Sequence, residues 1–114
     1  MAAILEILTL DIKPGRRDEF HRLYVSKALP LLRKWGFRVV AHGPSPHDAD
    51  SYYVIRQFDS LEQRQSSEDA YYASDDWKLG PRSAILELVD HFAYAVIPAS
   101  LWQKISKGLE IQEG

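Results

Sequence analysis

Cysteine is missing from this chain of 114 residues. Without it there is no disulfide, no thiol nucleophile and no cysteine-ligated zinc or iron–sulfur site, and the composition suits a reducing compartment. Long apolar runs are missing as well, so no segment reads as a membrane span. The apolar start, MAAILEILTLDI, has no basic stretch ahead of it and meets Glu6 and Asp11 early, so it reads as a strand and not as a signal peptide. A cytoplasmic location is the resulting expectation. No excess charge of one sign is present: 14 Lys and Arg stand against 16 Asp and Glu, mixed along the chain, for a net charge of −2. That balance offers no basic patch, and neither nucleic acid nor membrane is an expected partner. Gly-rich phosphate loops, HExxH, GxSxG and EF-hand loops are all absent.

What is present is one domain of alternating patterns, residues 1–100, followed by a tail, residues 101–114, that is expected to dock on the domain or on a partner subunit. AILEILTLD at 3–11 is apolar on both alternating faces, as a strand covered on both sides would be. From Arg16 to Trp35 the period changes: Phe20, Leu23, Tyr24, Lys27, Leu31 and Trp35 recur every three or four residues, the stripe of a helix. Pro30 cannot donate to the carbonyl of Ser26, so this helix must kink or restart, and Gly36 ends it. FRVVAH at 37–42 and SYYVIRQF at 51–58 read as two strands joined by the turn-rich GPSPHDAD. Asp59 or Ser60 caps a helix through LEQRQSSEDAYYA, and Ser74, Asp75 or Asp76 caps a short one carrying Trp77. Gly80-Pro81 breaks that short helix. RSAILELV at 82–89 reads as one more helical piece, with the alternative that ILELVDHF already belongs to the last strand, HFAYAVIP at 91–98.

The order β-α-β-β-α-β, with an extra short helix, predicts an α+β, ferredoxin-like fold: a four-stranded antiparallel sheet with helices on one face. Yet the strands offer apolar groups to both faces: Leu5 and Ile7 against Ile4, Leu8 and Leu10, and Phe92, Tyr94 and Val96 against Ala93, Ala95 and Ile97. The uncovered face predicts a homodimer, sheet packed on sheet, because a monomer would expose a large apolar patch.

Chemistry has few candidates. His42 ends the second strand before a loop, Arg56 alternates with Tyr52, Val54 and Phe58 in a central-looking strand, and His21 flanks the stripe of the first helix. These three are the candidate catalytic residues. A guanidinium at position 56 must be paired, with Glu6 as one partner, or must line a pocket. Tyr24, Tyr52, Trp77 and Tyr94 are the candidate substrate-binding residues, amphipathic rings that line a cavity or simply pack. Arg64 and Glu68 read as an i,i+4 pair on a helix surface, and Asp75-Asp76 as capping acids. No metal site and no cofactor is expected; His42 and His91 could hold a metal only with a third ligand that the pattern does not supply.

The run RQFDSLEQRQSSEDAYYASDDWKLGPRSAIL, with LPLLRKWGFRVV before it, resembles the NIPSNAP-like family of the dimeric α/β-barrel superfamily. The features that carry the resemblance are Leu29-Pro30, Gly36 before the second strand, aromatic-Asp-Ser-Leu with Arg64, and YASDDW at 72–77 followed by Gly80-Pro81-Arg82. It extends to about Pro98 and implies a ferredoxin-like monomer that pairs sheet to sheet into a barrel, with a cavity in each protomer. It implies binding of a small apolar or aromatic molecule, without an established activity. The wider superfamily adds an alternative, a cofactor-independent monooxygenase or isomerase acting on a phenolic or lactone-like compound. The sequence departs from the asparagine-and-tryptophan version of that oxygenase machinery, because it contains no asparagine. A haem-binding relative would need an axial histidine from among His21, His42, His47 and His91.

Overall fold

The computed structural model describes residues 3–104. Strand β1 (Ile4–Ile12) leads into helix α1 (Arg17–Leu23), a π-helical turn (Tyr24–Ala28) and helix α2 (Leu29–Lys34). Strands β2 (Arg38–Pro44) and β3 (Ser51–Phe58) follow, then helices α3 (Leu61–Ala73), α4 (Asp75–Lys78) and α5 (Arg82–Leu88), and strand β4 (Val89–Pro98). Residues 99–104 are helical again; the rest of the tail lies outside the described residues.

The sheet has the order β2-β3-β1-β4 and every neighbouring pair is antiparallel. This is the ferredoxin-like α+β arrangement that the element order predicts. Strand β1, in the middle, is apolar on both faces for that reason. Ile4, Glu6, Leu8 and Leu10 stand opposite Phe58, Arg56, Val54 and Tyr52 on the face the helices cover. The core lies there: Phe20, Tyr24, Leu32, Phe37, Tyr52, Val54, Phe58 and Tyr71 are each 5% exposed or less. Burying side chains of this size contributes about 1.5–3 kcal/mol each, set against the entropy of ordering them.

The local signals resolve as follows. Proline at position 30 neither breaks the first helix nor bends it alone; the backbone widens into the π-helical turn just before it, where Leu29 N–H donates to Tyr24 O. Gly36 ends the helix at φ +85°, a left-handed conformation that side chains disfavour. Of the two candidate caps, Ser60 is the one used: its Oγ accepts from Gln63 N at 3.0 Å, while Gln63 Oε1 accepts from Asp59 N at 2.7 Å. Ser74 caps α4 by accepting from Trp77 N at 3.3 Å. A Cβ on Gly80 would lie 2.2 Å from the Asp76 carbonyl, so the chain can turn there only without a side chain. ILELVDHF divides between the two options: helix α5 runs to Leu88, and β4 starts at Val89, two residues before the strand expected at 91.

The opposite face of the sheet carries Leu5, Ile7, Tyr53, Ile55, Ala93, Ala95 and Ile97, with no helix of the α1–α5 layer over it. The start of the C-terminal helix curls against one part of this face: Ala99, Ser100 and Trp102 form a groove with Leu5, Ile7, Val40 and Ile55.

Candidate functional site

Between the helices and the sheet lies a cavity of about 460 Å³. Its floor is the covered face of β1 and β3 (Glu6, Leu8, Leu10, Val54, Arg56), and its sides come from α1–α2 (Phe20, Tyr24, Ala28, Leu32) and α3 (Arg64, Gln65, Glu68, Tyr71, Tyr72). Trp77, Ile85 and Leu86 close it from α4 and α5. Its mouth lies along β4, where the helical cover is incomplete: Phe92 and Tyr94 line the cavity and are still 58% and 56% exposed. The walls are thus mostly apolar with a few convergent polar groups, the common make-up of a small-molecule site.

Those polar groups form one cluster. Register places Glu6 opposite Arg56. Arg56 Nε donates to Glu6 Oε1 at 2.8 Å, its Nη1 to Tyr72 Oη at 3.2 Å and its Nη2 to Glu68 Oε2 at 3.1 Å. Arg64 Nε donates to Glu6 Oε2 at 2.6 Å, and its Nη2 stands 3.4 Å from Glu68 Oε1. The Arg64 guanidinium also lies 4.9 Å from the centre of the Tyr94 ring at the mouth. All four charged side chains are nearly dry, and Glu68, 16% exposed, is the most accessible of them.

Two carboxylates this close do not ionise alike. Burial works against the charge on Glu6, but the hydrogen bond from Glu68 and the charge of Arg56 outweigh it and hold Glu6 below the ordinary carboxylate value. Burial, the hydrogen bond to Glu6 and the negative charge of Glu6 push Glu68 the other way, up to about 7, against the pull of Arg56 and Arg64. Glu6 is therefore the fixed anion of the pair, and Glu68 the one that exchanges its proton near neutral pH.

Tyr24 and Tyr71 also line the cavity, and their hydroxyls are buried with no hydrogen-bond partner among the described residues. Burial pushes both phenols upward, so they keep their protons. A buried hydroxyl without a partner costs about 1–3 kcal/mol, a cost that an occupant with acceptor atoms would remove.

The candidates named from sequence divide between two places. Arg56, Tyr24, Trp77 and Tyr94 line the cavity. His21, His42 and Tyr52 come together elsewhere, beside α1 at the β2 side of the sheet. Tyr52 Oη lies 2.7 Å from His21 Nδ1 and 3.3 Å from His42 Nδ1. The phenol has one proton to give, so one ring nitrogen accepts from it and the other donates to it. Burial first, then the neighbouring His21 and Arg33, hold His42 below the ordinary histidine value. His91 sits on β4, across the sheet from His42 on β2. None of the four histidines lines the cavity, so its walls do not offer the axial histidine a haem would take.

The polar groups of the cavity wall that went unnamed as site candidates are Glu6, Arg64, Gln65, Glu68, Tyr71 and Tyr72. Glu6 had a visible signal, a lone acid in an apolar strand with Arg56 available to pair. Arg64 and Glu68 read as a surface pair because their spacing is that of a surface pair; only the tertiary fold turns them onto Glu6. In YASDDW, Asp76 Oδ2 accepts from Trp35 Nε1 at 3.0 Å and from Lys34 Nζ at 3.2 Å, tying α4 to α2. The aromatics of that joint, Tyr71, Tyr72 and Trp77, pack with ring centres 4.9–5.6 Å apart and roof the cavity.

No protein-family model and no curated protein matches the chain. Solved structures do. A NIPSNAP domain protein of Burkholderia xenovorans superposes with a TM-score of 0.76 at 18% identity, covering 84% of this chain and 94% of that one. A NIPSNAP family protein of unknown function from Agrobacterium tumefaciens gives 0.78 at 16% identity, covering 85% and 87%. A Bordetella bronchiseptica protein named for antibiotic biosynthesis monooxygenases gives 0.69 at 19% identity, covering 85% and 96%. At these identities the finding is a shared fold: that of NIPSNAP domain proteins, with monooxygenase-type folds as neighbours.

Proposed function

We propose that this is a NIPSNAP-like protein that works as a homodimer and holds a small apolar or aromatic molecule in the cavity between its helices and its sheet. The observation that carries the reading is the cavity wall: apolar over most of its area, with the buried, unpartnered hydroxyls of Tyr24 and Tyr71 and a paired charge cluster on one side. Support for the dimer comes from the sheet face that α1–α5 leave uncovered, whose positions Ile7, Tyr53, Ile55, Ala93 and Ala95 carry no charge, although Leu5 beside them is already buried within the protomer. A second copy of the same face covers it at the cost of no buried charge. A cytoplasmic setting fits the absence of cysteine, and no helix among the described residues is long and apolar enough to cross a membrane.

Native mass spectrometry of the purified protein tests both parts. The expected spectrum is a dimer carrying, or able to take up, a small organic molecule of about one per protomer. A solely monomeric spectrum would sink the dimer, and a cavity that takes up no member of an aromatic panel would sink the ligand.

Glu68 favours a second reading, a cofactor-independent monooxygenase or isomerase acting on a phenolic or lactone-like compound. A carboxyl near pH 7 beside Arg56 and Tyr72 suits proton transfer to or from a bound substrate. Oxygen consumption or product formation with a panel of phenols and lactones, lost in Glu68→Gln, is the matching assay.

A further inference from the structure

The charge cluster has one loose member. Glu6 takes the short contacts, 2.8 Å from Arg56 Nε and 2.6 Å from Arg64 Nε, while Glu68 meets the same two guanidiniums only at 3.1 and 3.4 Å. With both carboxylates ionised, two anions balance two cations. With Glu68 protonated, the cluster keeps one net positive charge on a cavity wall that is otherwise apolar. Glu68 thus stands where an anionic group of a ligand would stand, against both guanidiniums, and it is the carboxyl that can give up its charge. The other unspent polar groups of the wall point to the same chemistry, since the phenols of Tyr24 and Tyr71 are protonated and call for acceptor atoms.

Resting on the reading of the cavity as a ligand site, we propose that its ligand is an aromatic monoanion, a flat apolar body bearing one carboxylate or sulfonate-like group, and that it binds together with one proton, taken up by Glu68. The balance is simple: the ligand brings one negative charge, Glu68 loses one on protonation, and the guanidiniums pass from carboxylate to ligand. The groups that face Glu68 are Glu6 from β1, Arg56 from β3, Arg64 and Tyr72 from its own helix and, around the same cavity, Tyr24 from the π-helical turn, Tyr71 from α3 and Tyr94 from β4. Of the carboxyls among them, Glu6 is held ionised by the hydrogen bond from Glu68 and by its two arginines, which leaves Glu68 as the one free to titrate. An anion bound beside it raises its proton affinity further, so affinity falls as pH rises above the value for the free protein.

Two fluorescent probes of nearly one shape separate the claims: 8-anilinonaphthalene-1-sulfonate, anionic at every working pH, and the uncharged N-phenyl-1-naphthylamine. Occupancy of the cavity is read from the indole N–H signal of Trp77, assigned with Trp77→Phe. The expected result is that the sulfonate weakens with rising pH above 7, approaching about tenfold per pH unit, while the neutral probe stays flat. Calorimetry at pH 8 in buffers of different ionisation heat shows proton uptake approaching one per sulfonate bound. Glu68→Gln, nearly isosteric, binds the sulfonate with its low-pH affinity throughout. If both probes shift the Trp77 signal but the sulfonate shows neither pH dependence nor proton uptake, the proton-linked anion site is overturned and the ligand cavity stands. If neither probe reaches Trp77, the cavity reading fails and this inference fails with it.

Discussion

Glu6 on β1 and Arg56 on β3 face each other across the two central strands of the sheet, and their side chains join beneath the helices with 5% exposure or less. A salt bridge in that position is a poor source of net stability but an expensive thing to halve, because the survivor is left charged in a dry wall. Arg56→Met is therefore expected to cost about 3–5 kcal/mol, and Glu6→Leu combined with Arg56→Met far less than the two single costs added. Urea unfolding of the three variants measures this. A single Arg56→Met cost within experimental error of zero would mean that the pair is wet in solution.

The coupled carboxyls give opposite pH dependences. Glu6 lies below its unfolded value near 4.5, so its contribution is present above that pH and is lost as pH falls through the depressed value. Glu68 lies above its unfolded value, at about 7, so the folded state holds a proton that the unfolded chain has released. That contribution is full below pH 4.5 and declines as pH rises from there to 7. The measurable consequence is that Glu68→Gln gains stability relative to wild type between pH 4.5 and 7 and holds the gain above. Thermal unfolding across pH 4–8 is the check, and parallel curves for the two proteins would contradict the assignment of the proton to Glu68.

The parts of the fold that local chemistry decides were legible before any coordinates. β-branched and aromatic content beside the turn-rich GPSPHDAD delimits β3 at Ser51–Phe58, and Asp59 or Ser60, each with an acid or amide three residues on, places the start of α3 to within one residue. Pro30 announced an irregular first helix, although not that the backbone would absorb it as a π-helical turn. The cavity was half legible. Arg56 and Trp77 declared themselves as a cation in a strand and an aromatic at a joint. Arg64 and Glu68 did not, because a pair four residues apart looks the same in solvent as it does against a third carboxylate on another element. His21 and His42 converge on Tyr52 from 31 and 10 residues away, a meeting no local pattern encodes.

That meeting has its own signature. His42 is predicted to titrate below the ordinary histidine value of 6.5, held down by burial and by the neighbouring His21 and Arg33. Replacing His21 with Gln removes one of the two charges, so the His42 value rises, without reaching that of an exposed histidine because burial remains. Ring-proton chemical shifts followed from pH 4.5 to 8 report it. Tyr52→Phe takes away the shared hydroxyl, and the ring that donates to it from Nδ1 then shifts its proton to Nε2, which nitrogen-15 ring shifts reveal. A His42 value unmoved by His21→Gln would show that the two rings do not sense each other.

The open sheet face carries the last prediction. Ile55 lies near its centre, on β3, and pairs with Ile7 of β1 on one side and Ala41 of β2 on the other. In a two-fold dimer a charge placed there meets its own copy across an interface about 10 Å thick. Ile55→Glu therefore buries two like charges in the dimer and one solvated charge in the monomer. Desolvation and repulsion both act against association, by several kcal/mol. The fold of each protomer should survive, since the substitution leaves the core beneath α1–α5 untouched and meets within the protomer only the groove that Ile55 shares with Ala99, Ser100 and Trp102. Sedimentation velocity is expected to show wild type at twice the protomer mass and Ile55→Glu at one, with unchanged far-ultraviolet circular dichroism. Cavity ligands then discriminate further: the cavity lies on the other side of the sheet, built by one protomer's own residues. An Ile55→Glu monomer should therefore still bind the neutral naphthylamine probe. Loss of that binding on monomerisation would mean that the partner completes the site.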